Sequence, residues 1–426
     1  MCETMPQISD NITAGAHRAS AIVVDGSQNA LSVARSLVRL GLNVYTLSER
    51  GEPVRFSQGV QRIEAGGETA VSWERFLLGT DSDYLSGSLL LACSDPAIEL
   101  LARNSEKLSQ KFVLEEGDPA TRILLLDKLR TYQEAKKAGI PAVDYQFVET
   151  LEQLQNVGER FRFPVILKPL HSADSERFGG KIVIANDKAE LLSLWPLLER
   201  GVKAVAMEFI PGGDDRLCSY YAYMDERGDP LVEFTKRVLR RSPIHTGSVS
   251  YHITDWNPEA ADIGRRFFRY MKLKGIGNIE FKRDPRDGEL KIIEVNARFT
   301  LGDPLLVSSG VDLTAFTVAR LTGQPPPPRV EYKRGLVLWI PPEDMRTFLQ
   351  LRARKEITWR EWLGQVARAR VFPYFSLRDP IPSLYQNTMR ALQVMKLLAL
   401  HMCGRLRRQH VRAGAILSKA DKRRAE

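Results

Sequence analysis

The chain has 426 residues, 43% of them apolar, which excludes a fibrous or wholly disordered protein and asks for roughly two to three domains. The net charge of +9 is concentrated at one end. From 385 to 426 ten Lys/Arg stand against two acids, the remainder is almost neutral, and nucleic acid is not an expected partner. Cys2, Cys93, Cys218 and Cys403 form no CxxC pair, so neither a zinc knuckle nor a redox motif is written here and a reduced, cytoplasmic setting is expected.

Residues 1–19 lack the apolar core of a secretory signal and read as a disordered lead. Ser20–Val24, a loop Asp25-Gly26-Ser27, an amphipathic run from Ala30 to Leu40 and a second strand from Leu42 to Leu47 spell a β-α-β unit. Its loop is not GxGxxG, so the unit is read as a structural Rossmann-like half without a nucleotide. Leu89–Cys93 adds a further strand, and this domain is expected over 20–118.

A second unit, 119–202, starts with a helix led by Asp127-Lys128-Leu129 and stopped at Gly139-Ile140-Pro141. Phe163–Pro169 is an apolar strand that ends on Lys168, where an ammonium needs a partner such as phosphate or open water. The third unit, 203–323, opens with a strand to Ile210 and the turn Pro211-Gly212-Gly213. Backbone groups at Glu208, Phe209 and Ile210 can read an adenine edge, and Asp215 just beyond can accept from ribose hydroxyls. Thr235–Arg241 (TKRVLRR) is a cationic strand, suited either to phosphate or carboxylate binding or to a solvated sheet edge.

The densest constellation is Gly277–Arg298. A three-residue hairpin loop Arg286-Asp287-Gly288 would set Glu280 opposite Glu294, with Asn296 on the same face and Ile279, Phe281, Ile293 and Val295 on the other. Two carboxylates facing across a ladder repel unless a cation lies between them, and a Glu/Glu/Asn oxygen set suits Mg²⁺ and not zinc. Four prolines at 325–328 mark a boundary. Beyond it a helical extension, 329–426, carries three tryptophans and the basic tail. No run reaches the ~20 apolar residues of a membrane span. Leu392, Met395, Ala399 and Met402 lie near one helical face ahead of the arginines, a pattern that fits peripheral contact with an anionic membrane.

The ordered run Lys128, Lys168, Glu208-Phe209-Ile210-Pro211-Gly212, Glu280, Glu294-Val295-Asn296 and Arg298 resembles the ATP-grasp superfamily, most of all its carboxylate–amine ligases of the D-aspartate ligase-like type, over about residues 20 to 323. The resemblance implies an α/β and α+β chain, an ATP-grasp fold preceded by a Rossmann-like domain. It also implies an ATP-dependent ligase that joins a small carboxylate to a small amine, a chain compatible with homo-oligomers. Carried over by position, Lys128 and Lys168 contact ATP phosphates, Glu208, Phe209 and Ile210 hold adenine, and Asp215 holds the ribose. Glu280, Glu294 and Asn296 hold Mg²⁺, with Mn²⁺ as a substitute, and Arg237, Arg240 and Arg298 serve the γ-phosphate and substrate. Two departures stand out: the loop 171–180, whose counterpart covers the phosphates, has only two glycines, and the usual Asn-Pro-Arg ending is Asn296-Ala297-Arg298.

Overall fold

The computed structural model describes residues 19–169, 182–199, 201–242, 244, 247–329 and 331–392. The loop 171–180 and the tail beyond 392, both singled out above, lie outside the described residues.

Strands β1 (Ser20–Val24), β2 (Asn43–Leu47), β3 (Val60–Arg62), β4 (Leu89–Ala92) and β5 (Val113–Leu114) form an all-parallel sheet in the order β3-β2-β1-β4-β5. The short apolar runs of β1 and β4 are buried because helices cover both faces, as a parallel sheet requires. The loops after β1 and β4 meet where the strand order reverses: Ser94 donates to Asp25 at 2.5 Å. In such sheets this crevice is the customary ligand side.

The second sheet is antiparallel, in the order β6-β9-β7-β8, from β6 (Tyr145–Val148), β7 (Val165–Pro169), β8 (Val183–Ala185) and β9 (Ala204–Glu208). Strand β9, expected to open the third unit, instead pairs between β6 and β7 in this sheet. Its pairing is non-local, which composition cannot reveal.

The third sheet has seven strands, β14-β13-β10-β11-β12-β15-β16: β10 (Leu217–Met224), β11 (Pro230–Ser242), β12 (Ser248–Asp255), β13 (Gly275–Arg283), β14 (Leu290–Asn296), β15 (Val337–Trp339) and β16 (Ala369–Val371). One face packs on helix Pro258–Tyr270 through Tyr220, Ile279, Phe281 and Ile292. The other packs on the N-terminal domain through Tyr221, Tyr223 and Phe234. The extension is therefore not separate from the large sheet, since β15 and β16 lengthen it beyond β12.

The pairing Glu280↔Glu294 is present, by a route other than the expected one. The hairpin closes on Asp284 and Glu289, so the loop has four residues, with Gly288 at φ +78°. That alone would slip the register by one. A bulge at Ile293 restores it: Phe281 faces Ile292, and Glu280 faces Glu294. The bulge also moves Ile293 off the apolar face expected for it. Ile292 and Val295 stay in the core, while Ile293 packs beside Tyr132, Met207 and Ile210.

Candidate active site

The face of the large sheet that meets the N-terminal domain carries one row of side chains across four strands: Glu294, Glu280, Ser219 and Lys236 are successive cross-strand partners on β14, β13, β10 and β11, running from partly exposed to buried. Asn296 lies opposite Asn278. Its amide donates to Asn278 Oδ1 at 3.2 Å, which leaves Asn296 Oδ1 as an acceptor. Among the described residues no three His, Cys, Asp or Glu converge as a cage. Two carboxylates plus an amide oxygen fit a hard cation that completes its shell with phosphate and water.

Two lysines approach this row from the second unit. Asp127 caps helix Lys128–Lys137 by accepting from the amides of Leu129 and Arg130, which starts the helix at Lys128. The Lys128 ammonium reaches Glu294 at 2.9 Å. Lys168 lies on β7, on the same face as Ile166. Burial, with Lys128 nearby, holds its pKa below the usual lysine value, against the pull of Asp127 and Glu294. An ammonium so placed gains most from an added anion. Lys168→Ala should therefore weaken ATP binding at least about tenfold while the fold persists. The sign of the proton exchange follows: phosphate restores the proton to a lysine whose pKa is depressed, so at alkaline pH ATP binding takes up protons, and Lys168→Ala reduces that uptake. Calorimetry in two buffers of different ionisation enthalpy reads both effects, and unchanged affinity in a folded variant removes Lys168 from the site.

The adenine candidates meet beside an apolar cluster of Tyr132, Val143, Met207 and Ile210, with Ile166 and Ile293 packed against it. Ile210 O accepts from Lys282 Nζ at 2.7 Å, and the same ammonium lies 5.5 Å from the Phe209 ring centre. The Glu208 carboxylate is engaged elsewhere: it pairs with Arg286 at 2.6 Å and Lys291 at 3.1 Å. Both cations also hold Asp284, whose carboxyl stays below the usual range because the bonds from Arg286 and Lys291 outweigh its burial. This network ties the end of β9 to the hairpin turn, so the Glu208 carboxylate positions the strand. Asp215, on a 3₁₀ turn after Gly213, is exposed.

The three arginines separate. Arg298 donates to Asp95 at 2.6 Å, bridging to the first turn of helix Asp95–Arg103, which follows β4. Arg237 lies on the opposite face of the sheet, half exposed, 3.5 Å from Asp255. Arg240 is turned to that face too, by a bulge at Leu239 that sets it opposite Tyr251. There it is buried in an ion pair with Asp344 at 2.6 Å. The β11 cation in line with Glu280, one strand beyond Ser219, is Lys236, overlooked in the sequence. Burial lowers its pKa, against the pull of the Glu280 carboxylate. The signal was the alternation Val232, Phe234, Lys236, Val238, which places the lysine on the face of the apolar residues. Gly302 closes over it: a Cβ there would stand 2.4 Å from Tyr221 Oη and 3.0 Å from Lys236 Cε. Ser219 Oγ and both His252 ring nitrogens are buried without a hydrogen-bond partner among the described residues.

No family model matches the chain. The D-aspartate ligase of Enterococcus faecium (strain Aus0004) is 28% identical over 253 residues, 55% of this chain and 59% of that protein. The carbamoyl phosphate synthase large chain of Methanothermobacter thermautotrophicus is 24% identical over 203 residues, 44% of this chain and 18% of that one. The chain thus spans well under two thirds of the length of these relatives. Among solved structures, N5-carboxyaminoimidazole synthetase from Staphylococcus aureus superposes with a TM-score of 0.59 at 17% identity, over 75% of this chain and 81% of that one. The biotin carboxylase domain of Hydrogenobacter thermophilus 2-oxoglutarate carboxylase, a dimer crystallised with MgADP, superposes at 0.55 and 16% identity, over 75% and 74%. The fold is the ATP-grasp fold with a Rossmann-like domain ahead of it. In sequence the chain is similar to a carboxylate–amine ligase of that kind, the D-aspartate ligase.

Proposed function

We propose that the protein uses ATP to activate a small-molecule carboxylate as an acyl phosphate and joins it to an amine, releasing ADP and phosphate. The observation that carries this reading is the facing pair Glu280 and Glu294 with Asn296, approached by Lys128, Lys168 and Lys236. Phosphoryl transfer asks little covalent chemistry of a protein and much positioning of charge. Lys168 and Lys128 would hold the transferring phosphates, the backbone at Phe209 and Ile210 the purine, and Asp215 the ribose. Lys236 and Arg298 would hold the substrate carboxylate and neutralise the oxyanion as it accepts the phosphoryl group. Glu280, Glu294 and Asn296 fit Mg²⁺, or Mn²⁺ with the same hard oxygen ligands, which when bound would neutralise phosphate charge.

Assembly into homo-oligomers is part of the same reading. So is contact of the basic tail with anionic lipid, supported by its ten bases against two acids. The test is ADP release by the purified chain with Mg²⁺ and ATP, with pooled amino acids present and absent. Release that rises with the pool is the expected result. Release indifferent to every amine would instead favour another acceptor, and no release with intact ATP binding a non-catalytic nucleotide-binding module.

A further inference from the structure

The C-terminal extension presents an apolar face that the rest of the described chain leaves uncovered. The helix that begins at 381 and is described to 392 is held from one side. Tyr385 stacks on Phe56 with ring centres 3.9 Å apart, and Arg390 pairs with Glu343 at 2.7 Å and lies over the Tyr374 ring. On the side opposite Arg390, with Tyr385 at its flank, Ile381, Leu384, Thr388 and Leu392 recur at i, i+3, i+7 and i+11, one helical stripe. Ile381, Leu384 and Leu392 are 55%, 69% and 48% exposed, and Leu377, just before the helix, is 86% exposed. Singly scattered apolar side chains need no explanation, but a stripe of this length with a leucine beside it does.

Its surroundings are cationic. Between 345 and 378 eight Lys/Arg are exposed against two exposed acids, Glu356 and Glu361. The sequence after 392 adds nine Lys/Arg against two acids, and Met395, Ala399 and Met402 continue the helical spacing of the stripe. A second copy of the chain would bring the same positive excess to the contact, so like charge opposes self-association there. A nucleic acid would answer the charge but offer nothing to Leu377 and Leu384. An anionic phospholipid surface answers both.

We propose that the helix starting at 381, with the loop at Leu377, docks on an anionic phospholipid surface. Leu377, Ile381, Leu384 and Leu392 enter the boundary between headgroups and acyl chains, and the surrounding arginines meet the phosphates. No described helix is long and apolar enough to cross a membrane, so this mode is one of lying on the surface. The proposal rests on the tail's contact with anionic lipid and adds a folded apolar face to it; it needs no ligase activity.

The test is sedimentation of the full chain with vesicles of phosphatidylcholine alone and of phosphatidylcholine mixed with phosphatidylglycerol. The wild-type chain is expected to sediment with the mixed vesicles and not with the neutral ones. The paired change Leu377→Ser and Leu384→Ser should lower the partition coefficient by about tenfold or more with an unchanged thermal melt, since both side chains are largely exposed. Leu377→Ser alone, a loop change, should lower it less and guards against misfolding of the pair. A separate arm reverses the tail charges at Arg405, Arg407 and Arg408. Loss of binding in that arm with wild-type binding by the leucine variants overturns the apolar face and leaves the tail contact standing. Equal binding to neutral vesicles, or leucine variants that only turn an oligomer into a monomer, also overturns the proposal.

Discussion

Glu294→Gln is expected to lower Mg²⁺-dependent ADP formation by about a thousandfold or more, while the fold stands. The carboxylate lies opposite Glu280 across the ladder, so in the proposed reading the two charges would share one cation, and Gln removes half of their formal charge. The effect on stability has two opposing parts. Glu294 loses its partner Lys128, at 2.9 Å and partly exposed, which is worth under about 1 kcal/mol. It also ceases to repel Glu280. The sum should leave the metal-free melting temperature within a few degrees of wild type, because Lys128 already offsets part of the repulsion that a bare pair would suffer. Turnover assays across a Mg²⁺ titration and a thermal melt read the two effects separately. Near-normal Mg²⁺-dependent turnover would dissolve the site, and with it the main support for the ligase reading.

Arg240→Leu is expected to do the reverse, costing about 3 to 5 kcal/mol in stability while leaving ATP affinity close to wild type. Asp344 is fully buried and accepts from Arg240 Nε at 2.6 Å and Nη2 at 3.0 Å. It also accepts from the indole N–H groups of Trp339 and Trp362, both at 2.9 Å. Removing the arginine leaves a buried carboxylate with neutral donors alone, and the hub that holds β11, β15 and helix Trp359–Val366 together loosens. The wet measurement is denaturant unfolding followed by tryptophan fluorescence, which reports on the cluster itself. A variant that melts like wild type but binds ATP poorly would return Arg240 to the cleft, where the family resemblance puts it. Lys236→Met offers the internal contrast: lost turnover with stability unchanged or raised, since a buried ammonium held below its usual pKa destabilises the empty protein.

Much of the architecture is written locally. The β-α-β start follows from short apolar strands and an amphipathic helix, Asp127 announces its helix by its capping chemistry, and Gly277–Arg298 declares a hairpin by alternation. The pairing of the two glutamates was legible, although the loop is one residue longer than expected and a bulge compensates. A period of two records which residues share a face, and it records nothing of where a bulge resets the phase.

That limit explains where the sequence reading and the structure part. In TKRVLRR the arginines are the conspicuous phosphate binders, yet strand phase puts Arg237 on the far face and the bulge at Leu239 carries Arg240 there too, leaving Lys236 in the cleft. The Glu208 carboxylate, expected at the adenine, is paired with Arg286 and Lys291, which lie 78 and 83 residues away in sequence. The sequence by itself determined the residue types, the order of the units, the hairpin and the oxygen-rich set that suits a hard cation. Tertiary structure alone decided which cations reach that set, that β9 belongs to the small sheet, and that the extension lengthens the large one. Each of these is set by pairing between distant strands, whose contacts depend on register and burial and leave no local trace in composition.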